Sequence, residues 1–165
     1  MARKTAAHKK KTRVLALILL LSVAGAAPAG CARQPAAAPA CRAVADAVLA
    51  SQSFEETTEL SKEKMSEFLD IDPAALTDLT MEMDVSRATA ECVIALTAVD
   101  TGALKALETA LREYRDTTLA QYRDYQPAEV PKLETAVLRT NGLQTVLVVC
   151  GDAAKAQRAL DNAWR

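Results

Sequence analysis

Apolar and polar residues follow two different patterns in the middle of this chain, and both patterns predict strands. Residues 79–85 (LTMEMDV) alternate with a period of two, which is typical of a strand with one buried and one solvated face. The polar, solvated positions of this strand would be Thr80, Glu82 and Asp84. Residues 92–99 (CVIALTAV) are almost continuously apolar and predict a central strand that is covered on both sides. The sequence therefore predicts two neighbouring strands of a sheet.

Helical spacing of apolar residues is found on both sides of these strands in the sequence. The longest apolar stripe begins after Thr101, continues to Tyr125 and stops before Pro127, which cannot continue a helix. Shorter helices are predicted over residues 41–51 and after residue 152. The residues expected to cap helices are Ser61, Asp72, Thr101 and Asp152. Helices should therefore both precede and follow the strands.

Residues 133–140 and 143–150 predict a β-hairpin, which is the clearest local signal in the chain. The residues between them are Asn141-Gly142, a dipeptide that accepts positive φ at both central positions of a type I′ turn. The twist of that turn matches the twist of paired strands. We therefore expect two adjacent antiparallel strands near the C-terminus.

After residue 78 the predicted order of elements is strand, strand, helix, strand, strand, helix. The second half follows the first at a spacing of 52 residues when Asp100 is aligned with Asp152. Short apolar strands followed by helices coincide easily, so duplication and chance similarity both explain this spacing. The predicted fold is α+β. It consists of an antiparallel sheet from two ββα units, with two helices on one face and further helices at the N-terminal end.

The N-terminal region has the order of an export signal. Thirteen residues with six positive charges precede the apolar run 14–24, which is shorter than the roughly 20 residues that cross a bilayer core. Small residues then lead to Cys31, which is placed as a lipid acceptor. We predict a signal peptide over 1–30, a lipid-anchored Pro/Ala linker over 31–40 and a single domain over 41–165. Cleavage by an ordinary signal peptidase after Ala27 or Ala29, and an uncleaved anchor, are the alternatives.

Export would change the composition of the remaining chain. The signal contains six of the 20 basic residues and no acid, so 14 basic and 21 acidic residues remain, a net charge of −7. Such an acidic domain is a poor partner for nucleic acid. The one histidine, His8, leaves with the signal, and a histidine-free chain cannot build a Ser-His-Asp relay or a His-ligated zinc site. We therefore expect a non-catalytic protein without metal or cofactor, on the outer face of the cytoplasmic membrane or, alternatively, secreted.

Three cysteines remain in addition to Cys31, and none belongs to a CxxC motif. This absence excludes thioredoxin-type redox activity. Cys92 and Cys150 lie in apolar strands of one predicted sheet, where a disulfide bridge and two buried thiols are both reasonable. The strand order, which the sequence does not give, would decide between these alternatives.

Acidic residues are concentrated between residues 54 and 84, where ten carboxylates accompany two lysines. Clustered carboxylates are the ligands that calcium prefers. The spacing matches no calcium-loop signature, and solvated faces of helices and strands explain the cluster better. We therefore expect no metal site in this region.

Three segments of the chain together resemble a known family. They are TMEMDVSRATAECVIALTA, the helix that ends in YRDYQPAEV, and LETAVLRTNGLQTVLVVCGDAAKA. In their order and character they are similar to the bacterial domain of unknown function 4358, small proteins with signal or lipobox sequences. The resemblance runs from about Ala43 to Trp164 and contains no catalytic motif. It implies a location in the cell envelope and supplies no activity.

The alternation of side chains along the central strand leads to a hypothesis about function. We assume that the helices cover the face formed by Cys92, Ile94 and Leu96. The opposite face is then formed by Val93, Ala95 and Val99, and the N-terminal helix covers it only in part. We call these three residues the docking residues. We therefore predict a cell-envelope lipoprotein that acts as a non-catalytic interaction module. Its lipid anchor would hold it to the membrane, and the apolar face would bind an envelope protein or a second copy of the chain. A small-molecule or ion binding accessory lipoprotein is the alternative, and a pocket lined by converging polar groups would favour it.

Overall fold

One five-stranded antiparallel sheet forms the centre of the protein. The structure, a computed structural model, describes residues 38–165, so the predicted signal peptide, Cys31 and most of the linker lie outside the described residues. The strands are β1 (Thr57–Glu59), β2 (Leu76–Asp84), β3 (Cys92–Ala98), β4 (Val137–Asn141) and β5 (Gln144–Val149). Their order across the sheet is β1-β2-β3-β5-β4, and every neighbouring pair is antiparallel.

Five α-helices accompany the sheet in the described part of the chain, and none of them is long and apolar enough to cross a membrane. They are α1 (Cys41–Leu49), α2 (Lys62–Met65), α3 (Thr101–Tyr125), α4 (Val130–Glu134) and α5 (Ala153–Ala163). This mixture of helices and antiparallel strands confirms the predicted α+β class. The finer interpretation as two ββα units stays a prediction, because β1 and α4 are elements that such a repeat does not contain.

Three of the four predicted helix caps are present, one of them, Asp72, on the 3-10 turn Pro73–Ala75 that precedes β2. The side chains of Ser61, Asp72 and Asp152 each accept a hydrogen bond from a backbone N–H two or three residues later, which pairs a donor that the first helical turn leaves free. The prediction for α3 is wrong, because Asp100 caps this helix and accepts from the N–H of Ala103 at 2.8 Å. Thr101 is the first helical residue, whereas Asp100 has the extended backbone that a cap requires.

The hairpin of β4 and β5 is confirmed, with a different turn and a shorter first strand. Asn141 pairs with Gln144, so the two-residue loop consists of Gly142 and Leu143. Gly142 has a φ of 59° and Asn141 does not have a positive φ, which corrects the predicted type I′ turn to the geometry of a type II′ turn. Leu133 belongs to α4 rather than to the strand, because its side chain packs into the core shared with α3.

The sheet has a hydrophobic core on each face. Ile94 and Leu147 project toward α2 and α3, while Val93 and Val148 project toward α1 and α5. The long helix α3 and the C-terminal helix α5 therefore lie on opposite faces, and the predicted placement of both on one face is wrong. Both faces of the central strands are apolar, so helices on one face alone would leave the other in contact with water.

The predicted docking face is part of the interior of the protein. Val93 and Ala95 are completely buried beneath α1 and α5, which also pack against each other. Val99 is 45% exposed, but it lies beyond the end of β3. The predicted docking face is therefore wrong, because α5 covers the part of this face that the short α1 leaves open. In the described part of the chain, this apolar face is not open to a partner.

The polar face of β2 is also buried, contrary to the expectation of a solvated face. Thr80, Glu82 and Asp84 are 2%, 4% and 5% exposed, because α1 packs against this strand and the loop after the strand closes over Asp84. Arg42 of α1 forms an ion pair with Glu82. This pairing offsets part of the cost of removing a carboxylate from water.

The three described cysteines, Cys41, Cys92 and Cys150, are buried free thiols. Cys92 belongs to the core on the α3 face of the sheet, and Cys150 belongs to the core on the opposite face. Of the two alternatives from the sequence, the structure therefore has the thiols and not the bridge. Burial raises the pKa of the Cys92 thiol to about 12, so this thiol stays protonated and unreactive.

Candidate functional site

A cleft of about 280 Å³ opens between the segment that follows α2 and the middle of α3. We name it the Arg87 cleft after the residue that enters it from the loop between β2 and β3. Its lining combines one arginine, three carboxylates, two aromatic rings and several hydroxyl and amide groups. The lining residues are Glu67, Phe68, Asp70, Arg87, Ala110, Glu113, Tyr114, Thr117, Thr118 and Gln121. Converging polar groups around an aromatic surface are typical of a ligand site.

One wall of the cleft is the turn that follows α2. Met65 and Leu69 are buried in the core beneath α3 and hold this turn in place. Phe68 is half-buried and faces the cleft, whereas Glu67 and Asp70 are exposed at its rim. The apolar spacing of a short helical segment thereby presents an aromatic ring between two carboxylates.

The opposite wall of the cleft is α3. Leu107 and Leu111 of this helix are buried toward the sheet and fix its rotation about its own axis. The same rotation places Glu113 and Thr117, which are one turn apart, along the cleft. Tyr114 is half-buried beside them, and burial raises the pKa of its hydroxyl, so the phenol stays neutral.

Arg87 has the most unusual backbone conformation of the cleft residues. Its φ of 55° is the one positive φ of a residue other than glycine among residues 38–165. This left-handed conformation costs a residue with a Cβ about 1–2 kcal/mol. The guanidinium lies over the ring of Phe68, with 4.6 Å between Cζ and the ring centroid. Within the described residues it forms no ion pair of 4.0 Å or less, so its charge is available to a ligand.

The loop that carries Arg87 is closed by the carboxylate of Asp84. This carboxylate accepts four hydrogen bonds, from the backbone N–H and hydroxyl of Ser86 at 2.8 Å each and from those of Thr89 at 2.7 and 2.8 Å. Burial by itself raises the pKa of Asp84, but the hydrogen bonds from Thr89 and Ser86 outweigh burial and lower the pKa to about 2. The ionised carboxylate therefore fixes the backbone on both sides of Arg87.

Side chains from the end of α3, from the segment 126–129 that follows it and from α4 hold the same loop. The Tyr122 hydroxyl and the Gln126 amide donate to loop carbonyls at 2.8 and 3.1 Å, and Glu129 accepts from a loop N–H at 3.0 Å. Lys132 forms ion pairs with Glu129 at 3.1 Å and with Glu91 at 2.9 Å, which compensates both buried carboxylates. Contacts in this number maintain a strained backbone conformation, and such conformations concentrate at ligand clamps and active sites.

The groups of the cleft can supply charge pairing, hydrogen bonding and stacking. A planar guanidinium binds the two oxygens of a carboxylate or phosphate side by side, and the contact with the Phe68 ring places this group at the cleft. Among residues 38–165, no group of histidine, cysteine, aspartate and glutamate side chains is arranged to hold a metal ion. What these groups support directly is the recognition of a small polar molecule.

None of the site residues predicted from the sequence lines this cleft, although two carboxylates of the acidic segment 54–84, Glu67 and Asp70, do. Cys31 is outside the described residues, and the thiols of Cys92 and Cys150 lie in the two cores. Val93 and Ala95 are buried on the face opposite the cleft. The docking hypothesis and the observed cleft therefore concern different sides of the sheet.

The sequence did not predict the role of Arg87, because the residues around it do not indicate a positive φ. The loop contains no glycine or asparagine, the residues that ordinarily adopt positive φ. A weaker signal was present in Asp84 and Ser86, since an aspartate that accepts from the N–H two residues later is typical of a side-chain-closed turn. The remaining contacts of the loop come from Tyr122, Gln126 and Glu129, which are distant in sequence.

Comparisons with known proteins give one family. The family model described as Domain of unknown function (DUF4358) matches residues 50–150. Neither the search of curated proteins nor the search of solved structures found a match. The matched region contains all five strands and every residue that lines the Arg87 cleft, whereas α1 and α5 lie outside it.

Proposed function

This chain belongs to the DUF4358 family of domains of unknown function, and from that premise we propose that it is an exported, lipid-anchored binding protein. In this proposal the Arg87 cleft holds a small polar ligand outside the cytoplasm, and the protein performs no catalysis. The observation that carries the proposal is the strained and firmly held conformation of Arg87, whose cation has no ion pair in the described chain.

The membrane part of the proposal comes from the sequence. The basic stretch, the short apolar run and the small residues before Cys31 support export and lipid attachment at this cysteine. The domain would then work on the outer face of the cytoplasmic membrane, and a secreted form is the alternative. The chain after Cys31 contains no histidine, which supports binding rather than catalysis.

A ligand-binding function fits the structure better than the interaction module expected from the sequence. That module depended on an open apolar face at Val93 and Ala95, and α1 and α5 cover this face. Large exposed apolar side chains in the described residues are scattered, namely Val85, Val99 and Tyr125. An envelope partner or a second copy would therefore need a different surface.

Metabolic labelling with palmitate tests the anchor. Label should enter the wild-type protein, and Cys31→Ala should abolish it and release the protein from the membrane or leave an uncleaved precursor. Cys41→Ala is the matched control, because burial raises the pKa of the Cys41 thiol to about 11 and the thiol is inaccessible. Label that persists in Cys31→Ala would remove the claim of lipid attachment.

Residue-resolved NMR on the full-length protein tests the cleft. A panel of small polar molecules should include one that perturbs amide signals of Thr118 and Gln121, and Arg87→Lys should weaken its binding. Arg139→Lys is the matched control, since Arg139 also stacks on an aromatic ring, that of Trp164, outside the cleft. A ligand whose perturbations lie elsewhere, or whose binding responds equally to both substitutions, would contradict a role for this cleft.

A further inference from the structure

We infer that the ligand of the Arg87 cleft is a zwitterion of amino-acid or dipeptide size. Its carboxylate would pair with Arg87, and its ammonium group would lie near Asp70 and Glu113. This inference rests on the proposed function, because it assigns a chemical class to the ligand of the same cleft.

The charges of the cleft favour a ligand with both signs. Arg87, Asp70 and Glu113 form no ion pairs within the described residues, whereas Glu67 is paired with Lys64 at 3.2 Å. A purely anionic ligand would satisfy Arg87 and be repelled by the two carboxylates. A purely cationic ligand would have the opposite difficulty. A carboxylate and an ammonium group in one small molecule satisfy all three residues.

The shape of the arginine site fits a carboxylate. The guanidinium lies over the Phe68 ring at 4.6 Å from its centroid, and its N–H donors form a planar fork. A fork of this kind matches the two oxygens of a carboxylate. Phe68 and Tyr114 add aromatic surface to the lining of the cleft, against which the uncharged part of a ligand can pack.

The size of the cleft limits the ligand to a small molecule. The cleft has a volume of about 280 Å³. This is just below the roughly 300–1,000 Å³ that is typical of ligand pockets in proteins. An amino acid or a dipeptide fits this volume, whereas a longer peptide would extend into solvent.

Binding measurements with blocked derivatives test the charge requirement. The probes are L-leucine and L-alanyl-L-alanine, each beside its N-acetyl derivative, which lacks the ammonium group, and its C-terminal amide, which lacks the carboxylate. Calorimetry and NMR on the full-length protein should show that at least one unblocked compound binds in the cleft. Each blocked form of that compound should bind at least tenfold more weakly.

Substitutions then assign each charge of the ligand to a side chain. The wild type should bind the unblocked compound more tightly than its C-terminal amide, and Arg87→Gln should reduce this difference in affinity. Glu113→Gln should instead reduce the difference in affinity between the unblocked compound and its N-acetyl form. Asp124→Asn, at an exposed carboxylate of α3 outside the cleft, is the control and should change neither preference. All three residues are exposed, so the variants should melt like the wild type.

The possible results separate this inference from the proposed function. A blocked derivative that binds in the cleft as tightly as its parent would overturn the zwitterion and leave cleft binding intact. Unchanged preferences in Arg87→Gln and Glu113→Gln would also overturn it. If neither these probes nor the wider panel of polar molecules perturbs the cleft, the proposed function fails together with the inference.

Discussion

Positive φ occurs at two described positions, Gly142 and Arg87, and the presence of a side chain makes them different. Gly142 has no Cβ, so the turn between β4 and β5 adopts its φ of 59° without steric cost. Arg87 adopts nearly the same φ at a cost of about 1–2 kcal/mol. The contacts of the loop hold Arg87 in this conformation despite the cost, and the guanidinium of Arg87 lies over Phe68. Backbone strain therefore marks the residue on which recognition in the cleft would depend.

The positive φ of Gly142 predicts the effect of a substitution there. Gly142→Val should lower the free energy of unfolding by about 1–3 kcal/mol, because a β-branched side chain is strained in the left-handed region. Gly151→Val is the matched control, since an added Cβ would meet open space at both glycines and only Gly142 has positive φ. Urea unfolding of the two variants measures the difference. Equal losses would mean that the turn conformation is not what Gly142 contributes.

The ionised carboxylate of Asp84 predicts a pH dependence. The pKa of Asp84 is about 2 in the folded chain, below the ordinary value of 3.8, so its stabilising contribution is complete above about pH 4 and is lost as the pH falls toward 2. Asp84→Asn cannot ionise and should be less stable than the wild type at pH 7. We expect the gap between their free energies of unfolding to shrink between pH 4 and pH 2.

The matched control for Asp84 is another aspartate without its hydrogen bonds. Asp124 is exposed on α3, so Asp124→Asn should differ little from the wild type at any pH. A gap for Asp84→Asn that stays constant down to pH 2 would show that its carboxylate does not stabilise the loop through its charge.

At the scale of elements, the periods in the sequence were sufficient to find the longer helices and strands, but they missed the short β1 and α4 and did not assign the elements to faces. The alternation in β3 shows that Val93 and Ile94 point to opposite sides, but not which helix covers each side. That choice depends on how α1 and α5 pack on each other, which is a contact between the two ends of the domain. Arg87 was unpredictable for a similar reason, because its loop is held by Tyr122 of α3 and by Gln126, the residue after α3, which are distant in sequence.

Because α1 and α5 cover one face of the sheet, substitutions at two residues of the predicted docking face should have opposite effects on stability. Val93→Lys should unfold the protein or lower the free energy of unfolding by at least about 3 kcal/mol, because an unpaired ammonium would be buried beneath α1 and α5. Val99→Lys should change it by less than about 0.5 kcal/mol, since Val99 is 45% exposed. Circular dichroism melts of both variants test the pair. A folded Val93→Lys variant with wild-type stability would mean that the helices leave this face accessible.

At the scale of the whole molecule, Gln144 joins both ends of the described chain to the sheet. Its amide group donates to the carbonyl of Pro39 at 2.8 Å and to the hydroxyl of Thr97 at 3.1 Å, and its carbonyl accepts from the Trp164 indole at 2.6 Å. Gln144 is completely buried, so water cannot replace these partners. The segment before α1 and the end of α5 are therefore fixed on one face of the sheet. The Arg87 cleft lies on the other face, so the segment before α1 joins the domain on the side opposite the cleft.

This arrangement predicts that losing Gln144 loosens one face of the molecule and spares the other. Gln144→Leu should lower the free energy of unfolding by about 2–4 kcal/mol, because it leaves the Pro39 carbonyl and the Trp164 indole N–H without a buried partner. Hydrogen exchange should accelerate together in α1 and at the end of α5, while α3 keeps its protection. Gln157→Leu, on the exposed surface of α5, is the control and should change neither measurement. Faster exchange in α3 to the same degree would show that Gln144 supports the core as a whole, and the two faces would then not be independent.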